Sequence, residues 1–514
     1  MEINGKILWA DDEIDLLKPH IMFLKMKGYD VVTVNNGGDA LDKVKEEPFD
    51  LVILDENMPG LSGLETLSQI KQFQPDVPVI MITKSEEENI MNQAIGNKIA
   101  DYLIKPVNPN QILMSLKKNL HSGRLVSQKA TADYQQEFRR ITELINESYD
   151  INDWYELYRK LVFWEMELAQ TDTNMDELLL MQKNEANFAF SKFIKKNYEK
   201  WMNSEDHPLM SHEIFKTKVL PLLDAGKKVF FIVIDNFRLD QWKIVKPMFT
   251  EYFNIEEDLY CSILPTATQY ARNAIFSGLL PVQIEKMFPN LWVDEDSEEG
   301  KNLNESPLIQ TLLDRYRKNY TFSYNKVYES QFGEKLVQNF NAFNQYDLNV
   351  VVFNFIDMLS HARTESKMIR ELACNNAAYR SLTESWFRHS SALDLLRKIA
   401  ESGASVVLST DHGTIRVDNP IKIVGDKNTN TNLRYKVGKN LSYNEKQVYE
   451  IKKPERYGLP SPNISSTYVF TMNNDFFAYP NNYNYYVQYY KETFQHGGIS
   501  MEEMLIPLVT MNPK

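Results

Sequence analysis

At 514 residues the chain exceeds what one hydrophobic core organises, and its 43% hydrophobic and 25% charged residues exclude a disordered, collagen-like or disulfide-scaffolded protein. Two cysteines, Cys261 and Cys374, need no disulfide framework, and no uncharged apolar run approaches the roughly 18–20 residues of a membrane span. The net charge of −13 opposes whole-surface attraction to nucleic acid, and the first residues lack the basic and apolar regions of a signal peptide, so a cytoplasmic chain without membrane insertion is expected.

In chain order, Lys6–Ala10, Asp30–Val34, Leu51–Leu54, Val79–Ile82 and Tyr102–Ile104 read as strands. Amphipathic stretches such as Glu13–Lys27 and Ala40–Glu46 lie between them, which predicts a doubly wound α/β domain over residues 1–121. Over residues 122–206 Gly and Pro almost vanish and apolar residues recur at helical spacing. Breaks at Asn146–Asp150 and Thr171–Asn174 predict a bundle of three helices, with Trp154, Trp164, Phe188 and Trp201 as its buried aromatics. Strands alternate with helices again over residues 207–514, where Lys228–Ile234, Asn349–Ile356 and Ser405–Ser409 have the β-branched and aromatic composition of central parallel strands. The fold class is therefore multidomain α/β, with a helical bundle between a small doubly wound domain and a large α/β domain.

Parallel sheets gather ligand groups at the carboxyl ends of their strands. In the first domain those ends carry Asp11 and Asp12, Asp55, Thr83, and Lys105 followed by Pro106. Three convergent carboxylates repel one another unless a hard divalent cation such as Mg²⁺ sits among them, and a carboxylate beside Mg²⁺ can attack a phosphoryl group. The stretches Trp9–Glu13, Leu54–Gly60, Thr83-Lys84 and Asp101–Pro106 resemble the receiver domain of two-component response regulators. The resemblance implies phosphorylation of Asp55 by a sensor histidine kinase. It also implies Mg²⁺ held by Asp11, Asp12, Asp55 and the Asn57 carbonyl, a switch pair in Thr83 and Tyr102, and a phosphate contact in Lys105.

The large domain repeats this logic with mixed ligands. Asp235 follows one expected strand, Asp357 and His361 a second, and Asp411 and His412 a third; Pro265–Tyr270 contains Thr266 and Thr268, and His496 lies near the C-terminus. Carboxylates with imidazoles suit Zn²⁺, with Mn²⁺ as the alternative, better than Mg²⁺. The ordered set resembles the alkaline phosphatase superfamily, specifically its nucleotide pyrophosphatase/phosphodiesterase branch and the PglZ domain. That resemblance implies one metal on Asp357, His361 and His496, and another on Asp235, Asp411 and His412. It implies Thr268 as the nucleophile and metal-contacting hydroxyl, with Thr266 as runner-up. Two ions about 4 Å apart would activate the hydroxyl for an in-line displacement. Ala271 stands where related diesterases often carry Asn, so Arg272 or Asn273 is expected to take over phosphate-oxygen recognition.

Lys422–Arg456 is rich in basic residues, including Lys427, Arg434, Lys436, Lys439, Lys446, Lys452, Lys453 and Arg456, and Tyr479–Tyr490 is dense in tyrosine. Cations interleaved with rings suit a groove for single-stranded nucleic acid; the alternative is a solvated insertion followed by an aromatic strand pair. The three parts together resemble the PorX-type response regulators. This implies a zinc-dependent phosphodiesterase acting on linear or cyclic oligonucleotides, homodimerisation on phosphorylation, and regulation of type IX protein secretion. The competing class is a non-catalytic metal-containing regulator that binds a sigma factor or secretion component.

Overall fold

The computed structural model describes residues 4–84, 99–169, 175–294, 300, 302–425, 429–463 and 465–514, without the side chains of residues 122–128, 363 and 365. The expected break at Thr171–Asn174 and Lys427 lie outside them. The chain divides into two compact units, Met1–Ala132 and Asp133–Lys514. Among the described residues no helix is long and apolar enough to cross a membrane.

The first unit contains strands β1 (Gly5–Ala10), β2 (Tyr29–Val34), β3 (Leu51–Asp55), β4 (Val79–Thr83) and β5 (Asp101–Ile104). They form one parallel sheet in the order β2-β1-β3-β4-β5. Alternation along β1 explains why both faces are covered. Leu8 and Ala10 pack with Ala40, Leu41, Leu67 and Ile70 on one face, and Ile7 and Trp9 pack with Leu24, Ile112 and Leu116 on the other. Helices α1 (Lys18–Met26), α2 (Gly37–Glu46) and α3 (Gly63–Phe73) supply most of that cover. This is the expected doubly wound domain. Gly63 is required where α3 starts, because a Cβ there would lie 2.3 Å from the Asp55 carbonyl oxygen.

Helix α4 (Pro109–Glu147) contains the division between the units, and α5 (Ile151–Leu168) and α6 (Met175–Asn203) follow it. Asp150 starts α5 by accepting from the backbone N–H groups of Asn152 and Asp153 at 2.7 and 3.1 Å. Trp154, Trp164 and Trp201 are buried in one hydrophobic core with the large sheet. Phe188 departs from expectation: it is 49% exposed, and Phe190 and Phe193 point inward in its place.

The large sheet comprises β6 (Val229–Ile234), β7 (Phe253–Cys261), β8 (Phe322–Val327), β9 (Leu348–Phe353), β10 (Ser405–Ser409) and β11 (Leu505–Pro513). Its order is β7-β11-β10-β6-β9-β8, with β10, β6, β9 and β8 parallel and β11 antiparallel to both neighbours. Strand β9 is shorter than the expected Asn349–Ile356. Helix α8 (Phe355–Glu365) begins two residues after Phe353, so Asp357 stands in a helical first turn and not at a strand end. Helix α7 (Thr268–Ser277) starts with Thr268. The register pairs Ser409 with Val233 and Ile234 with Phe353, which brings the carboxyl ends of β10, β6 and β9 level.

Candidate metal centres and nucleophile

Those level strand ends assemble the large-domain site. Asp235 leaves β6, Asp411 and His412 leave β10, and each of the three offers a ligand atom within 4.8 Å of the others. Asp357 and His361, one turn apart on α8, form a second such cluster with His496. The first cluster is fully buried, whereas the His361 side chain is 66% exposed, so the second faces solvent. The rings of His412 and His496 stack with centroids 4.2 Å apart, so the two clusters adjoin.

The histidines are held in ligand-ready tautomers. Nδ1 of His412 lies 3.1 Å from the Gly413 carbonyl oxygen, and Nδ1 of His496 lies 3.1 Å from that of Thr266. Only an Nδ1–H can donate there, which leaves each Nε2 lone pair facing the carboxylates. Burial lowers both imidazoles to about 4, aided at His496 by the neighbouring His412, so both are neutral at pH 7.

The carboxylates are crowded. Burial, reinforced by Asp235, pushes Asp357 up to about 6 and Asp411 up to about 8. Asp235 moves the other way: against burial, the Arg272 guanidinium and His412 hold it below the usual carboxylate range. The buried Oδ2 of Asp411 has no hydrogen-bond partner. An orphaned carboxylate oxygen, two more carboxylates and neutral imidazole donors make a set that divalent transition metals fit, and water alone would leave it poorly satisfied.

Beside the buried cluster, Oγ1 of Thr268 lies 3.1 Å from His412 Nε2 and 3.4 Å from Asp235 Oδ1. Thr266 has a different task. Its buried hydroxyl donates to the Gly498 carbonyl at 2.9 Å and accepts from the Gly497 N–H at 3.0 Å, which ties down the loop bearing His496. Gly413 is needed because a Cβ there would fall 2.0 Å from the Glu502 carbonyl oxygen.

Arg272, expected to contact phosphate, is engaged by carboxylates. It is buried one helical turn beyond Thr268, with Nη1 2.7 Å from Asp235 Oδ2 and 3.6 Å from Asp411 Oδ2, and Nε 2.5 Å from Glu305 Oε1. Sequence reasoning also missed Asn236 and Asn354. Asn236 adopts φ 63° and places Nδ2 3.3 Å from Asp357 Oδ1, and Asn354 donates to Asp235 Oδ2 at 2.9 Å. The signal available was position alone: Asn236 is two residues past the end of β6 and Asn354 one past the end of β9.

Two cations of the expected basic groove are buried in the fold, while Lys446, Lys452, Lys453 and Arg456 are exposed. Arg434 is fully buried against Glu503, with bonds of 3.1 and 2.5 Å, and Lys436 is buried and donates to the Asn430 carbonyl at 2.7 Å. Lys452 and Arg456 pair with Glu450 and Glu199. The tyrosine-dense stretch forms a helix, α9 (Tyr483–Tyr490), and not a strand pair.

In the first unit, Asp11, Asp12 and Asp55 offer ligand atoms within 4.8 Å of one another. Lys105 Nζ lies 3.0 Å from Asp11 Oδ2 and 2.9 Å from Asp55 Oδ1. Burial raises the Asp55 carboxyl, with Asp11 and Asp12 adding to the shift and Lys105 opposing it. Asn57 is exposed two residues beyond Asp55, and the buried Thr83 hydroxyl donates to the Glu56 carboxylate. Tyr102 follows on β5, whose register sets it beside Met81.

Three family models match successive parts of the chain. A family model for the response regulator receiver domain matches residues 7–117, one for the PorX response regulator linker domain matches 124–202, and one for the BREX system PglZ alkaline phosphatase-like domain matches 214–511. Curated relatives include the transcriptional regulatory protein ZraR of Klebsiella oxytoca, 37% identical over 125 residues, or 24% of this chain and 28% of ZraR. The alkaline phosphatase synthesis transcriptional regulatory protein PhoP of Bacillus subtilis (strain 168) is 29% identical over 184 residues, or 35% of this chain and 73% of PhoP. The chain thus spans under a third of ZraR. A crystal structure of a CheY-like receiver domain protein from Methanospirillum hungatei JF-1 is 28% identical, covers 23% of this chain and 94% of that one, and has a TM-score of 0.22. A receiver domain implies a phosphodonor such as a histidine kinase, and an alkaline phosphatase-like domain is that of a phosphoesterase. The chain is a two-component response regulator of the PorX type and belongs to the PglZ alkaline phosphatase-like family.

Proposed function

We propose that the large domain is a zinc-dependent phosphodiesterase acting on linear or cyclic oligonucleotides, controlled by phosphorylation of Asp55. The observation that carries this reading is the position of Thr268 Oγ1, 3.1 Å from His412 Nε2 and 3.4 Å from Asp235 Oδ1, beside two three-residue donor clusters. Asp357, His361 and His496 would hold one Zn²⁺, and Asp235, Asp411 and His412 the other. Bound there, the pair supplies Lewis-acid activation of a hydroxyl and neutralisation of charge on the displaced and attacking oxygens. Thr268 Oγ1 attacks phosphorus as the bond to the leaving alcohol oxygen breaks, which gives a threonyl phosphate ester. The Thr268 hydroxyl gives up its proton to solvent, and the departing alkoxide takes one from solvent to leave as the alcohol. Water then cleaves the Thr268 Oγ1–phosphorus bond and restores the hydroxyl. Thr268 opens α7, so the positive end of the helix dipole faces the incoming anion.

In the receiver, Asp11, Asp12, Asp55 and the Asn57 carbonyl would hold Mg²⁺ while a sensor histidine kinase phosphorylates Asp55, with Lys105 moving to the phosphoryl oxygens. The new charge shifts the Thr83 and Tyr102 face and favours a homodimer, a change of population and not of fold. The output expected of this architecture is control of type IX secretion. Thr268→Val tests the catalytic reading: it should bind zinc as the wild type does and lose turnover of a model phosphodiester. Undiminished turnover removes Thr268 from the reaction, and a zinc-loaded wild type inert on every phosphodiester overturns the reading.

A further inference from the structure

Helix α9 half-buries Tyr483, Val487 and Tyr490, at helical spacing, and packs them with Leu433 against Ile415, Val417, Phe476 and Ala478. Tyr485 and Tyr486 face outward, 63% and 38% exposed, and Tyr489 beside them is half-buried. They are ordered relative to one another. Tyr485 and Tyr489 stack with centroids 6.1 Å apart and planes 15° off parallel, and Tyr486 and Tyr490 repeat this at 6.1 Å and 13°. Edge contacts of 5.3 Å between Tyr485 and Tyr486 and 4.9 Å between Tyr489 and Tyr490 close the array.

The array is fixed to the rim of the solvent-facing metal cluster. The Arg370 guanidinium lies 5.5 Å from the centre of the Tyr489 ring and donates through Nη2 to the Thr364 carbonyl at 2.8 Å. Thr364 is three residues beyond His361 on α8, and its hydroxyl lies 3.5 Å from Nε2 of Gln495, the neighbour of His496. A contiguous aromatic surface at this place is unusual for a face that meets only water. Its phenol-tipped rings are flat and sequence-tolerant, and an arginine sits over one of them. These are the properties of a platform for bases of a single strand whose backbone is negatively charged.

We infer that Tyr485, Tyr486 and Tyr489, with Arg370, form a base-stacking subsite for a single-stranded oligonucleotide whose scissile phosphodiester lies at Thr268. The inference rests on the phosphodiesterase reading for the identity of the strand. Each stacked base is worth about 5- to 150-fold in affinity.

The test is the affinity of a fluorescein-labelled pentanucleotide, and of its abasic counterpart, for zinc-loaded Thr268→Val protein and for the same protein carrying Tyr485→Ser and Tyr489→Ser. The expected result is about tenfold weaker binding of the base-bearing strand by the serine variant, unchanged abasic binding, and rescue by Tyr485→Phe and Tyr489→Phe. Equal affinity for the base-bearing strand in serine and tyrosine proteins overturns the inference. So does a change confined to sedimentation, which makes the array a contact between copies of the chain. Tyr485→Ser alone, at the most exposed ring, serves if the double variant misfolds. Turnover of bis(4-nitrophenyl) phosphate by the wild type reports on the phosphodiesterase reading separately, so failure of either claim is visible without the other.

Discussion

Asn187, on helix α6, grips the segment just past His496 with both ends of its amide: its Oδ1 accepts from the Met501 N–H at 2.8 Å, and its Nδ2 donates to Glu502 Oε2 at 2.9 Å. Lys183, one turn earlier, lies 3.1 Å from Glu502 Oε1 and 2.6 Å from Glu165 Oε2 on α5. Arg380 continues the chain of charges from Glu165 to Asp240, and Asp240 binds Arg238, three residues past Asp235. The linker helices thereby reach the loops of both metal clusters through buried polar contacts. Asn187→Leu removes two of these bonds and strands a backbone N–H. It should cost about 1–3 kcal/mol in urea unfolding and should speed zinc loss to a chelator. A stability loss with unchanged zinc release would make the contact purely structural.

Metal removal has a pH signature. Asp411 and Asp357 are raised to about 8 and about 6 in the cation-free fold, above the unfolded carboxylate value of 3.8. Groups raised in this way favour the folded state below the unfolded value, and that contribution is lost as pH rises through the folded values. Cation-free protein should therefore lose thermal stability between about pH 4 and pH 8, and zinc should restore it. The gap in Tm between zinc-loaded and chelated protein should widen across that range. A constant gap would show that these carboxylates are not the groups the cation relieves.

Arg272 is the counter-ion of the buried cluster. Arg272→Met leaves Asp235 and Glu305 without their guanidinium and should cost about 3–5 kcal/mol in chemical denaturation. Adding Glu305→Gln should recover part of that loss, because one uncompensated charge is removed with it. A double variant no more stable than the single one would show that Glu305 is balanced elsewhere, with Lys326, 3.2 Å away, the other cation in reach.

Away from the site, Glu257 gives the large domain an acid limit. Against burial, hydrogen bonds from Lys243, Lys246 and Trp242 at 2.5, 2.9 and 2.9 Å hold its carboxyl down to about 2, from an ordinary 4.5. A depressed carboxylate contributes stability above the ordinary value, and that contribution is lost as pH falls from about 4.5 toward about 2. Glu257→Gln should lower stability at pH 7 and flatten the acid limb of the stability curve, measured by urea midpoints across that range.

The strands of both sheets were legible because the pleat leaves a simple mark: Val229–Ile234 and Ser405–Ser409 are buried on both faces and read as unbroken apolar runs. The donor residues were legible for a related reason, since Asp and His after such runs have few other uses. The strand before Asp357 reads three residues too long because Phe355 and Ile356 are as apolar as the strand itself, while the turn at Asn354 that starts α8 has no glycine or proline to announce it. Tautomer control of His412 and His496 was invisible, since backbone carbonyls supply it. Arg434 and Lys436 were misread because composition treats cations as exposed; the partner that buries Arg434 is Glu503, 69 residues away in sequence.

The central claim is that two transition-metal ions flank the Thr268 hydroxyl. Anomalous scattering at the zinc edge from crystals of the zinc-loaded protein tests it most directly. The account predicts two peaks, one among Asp357, His361 and His496 and one among Asp235, Asp411 and His412, with Thr268 Oγ1 next to both. A map with no peak in either cluster, or with its zinc bound elsewhere in the chain, would contradict it.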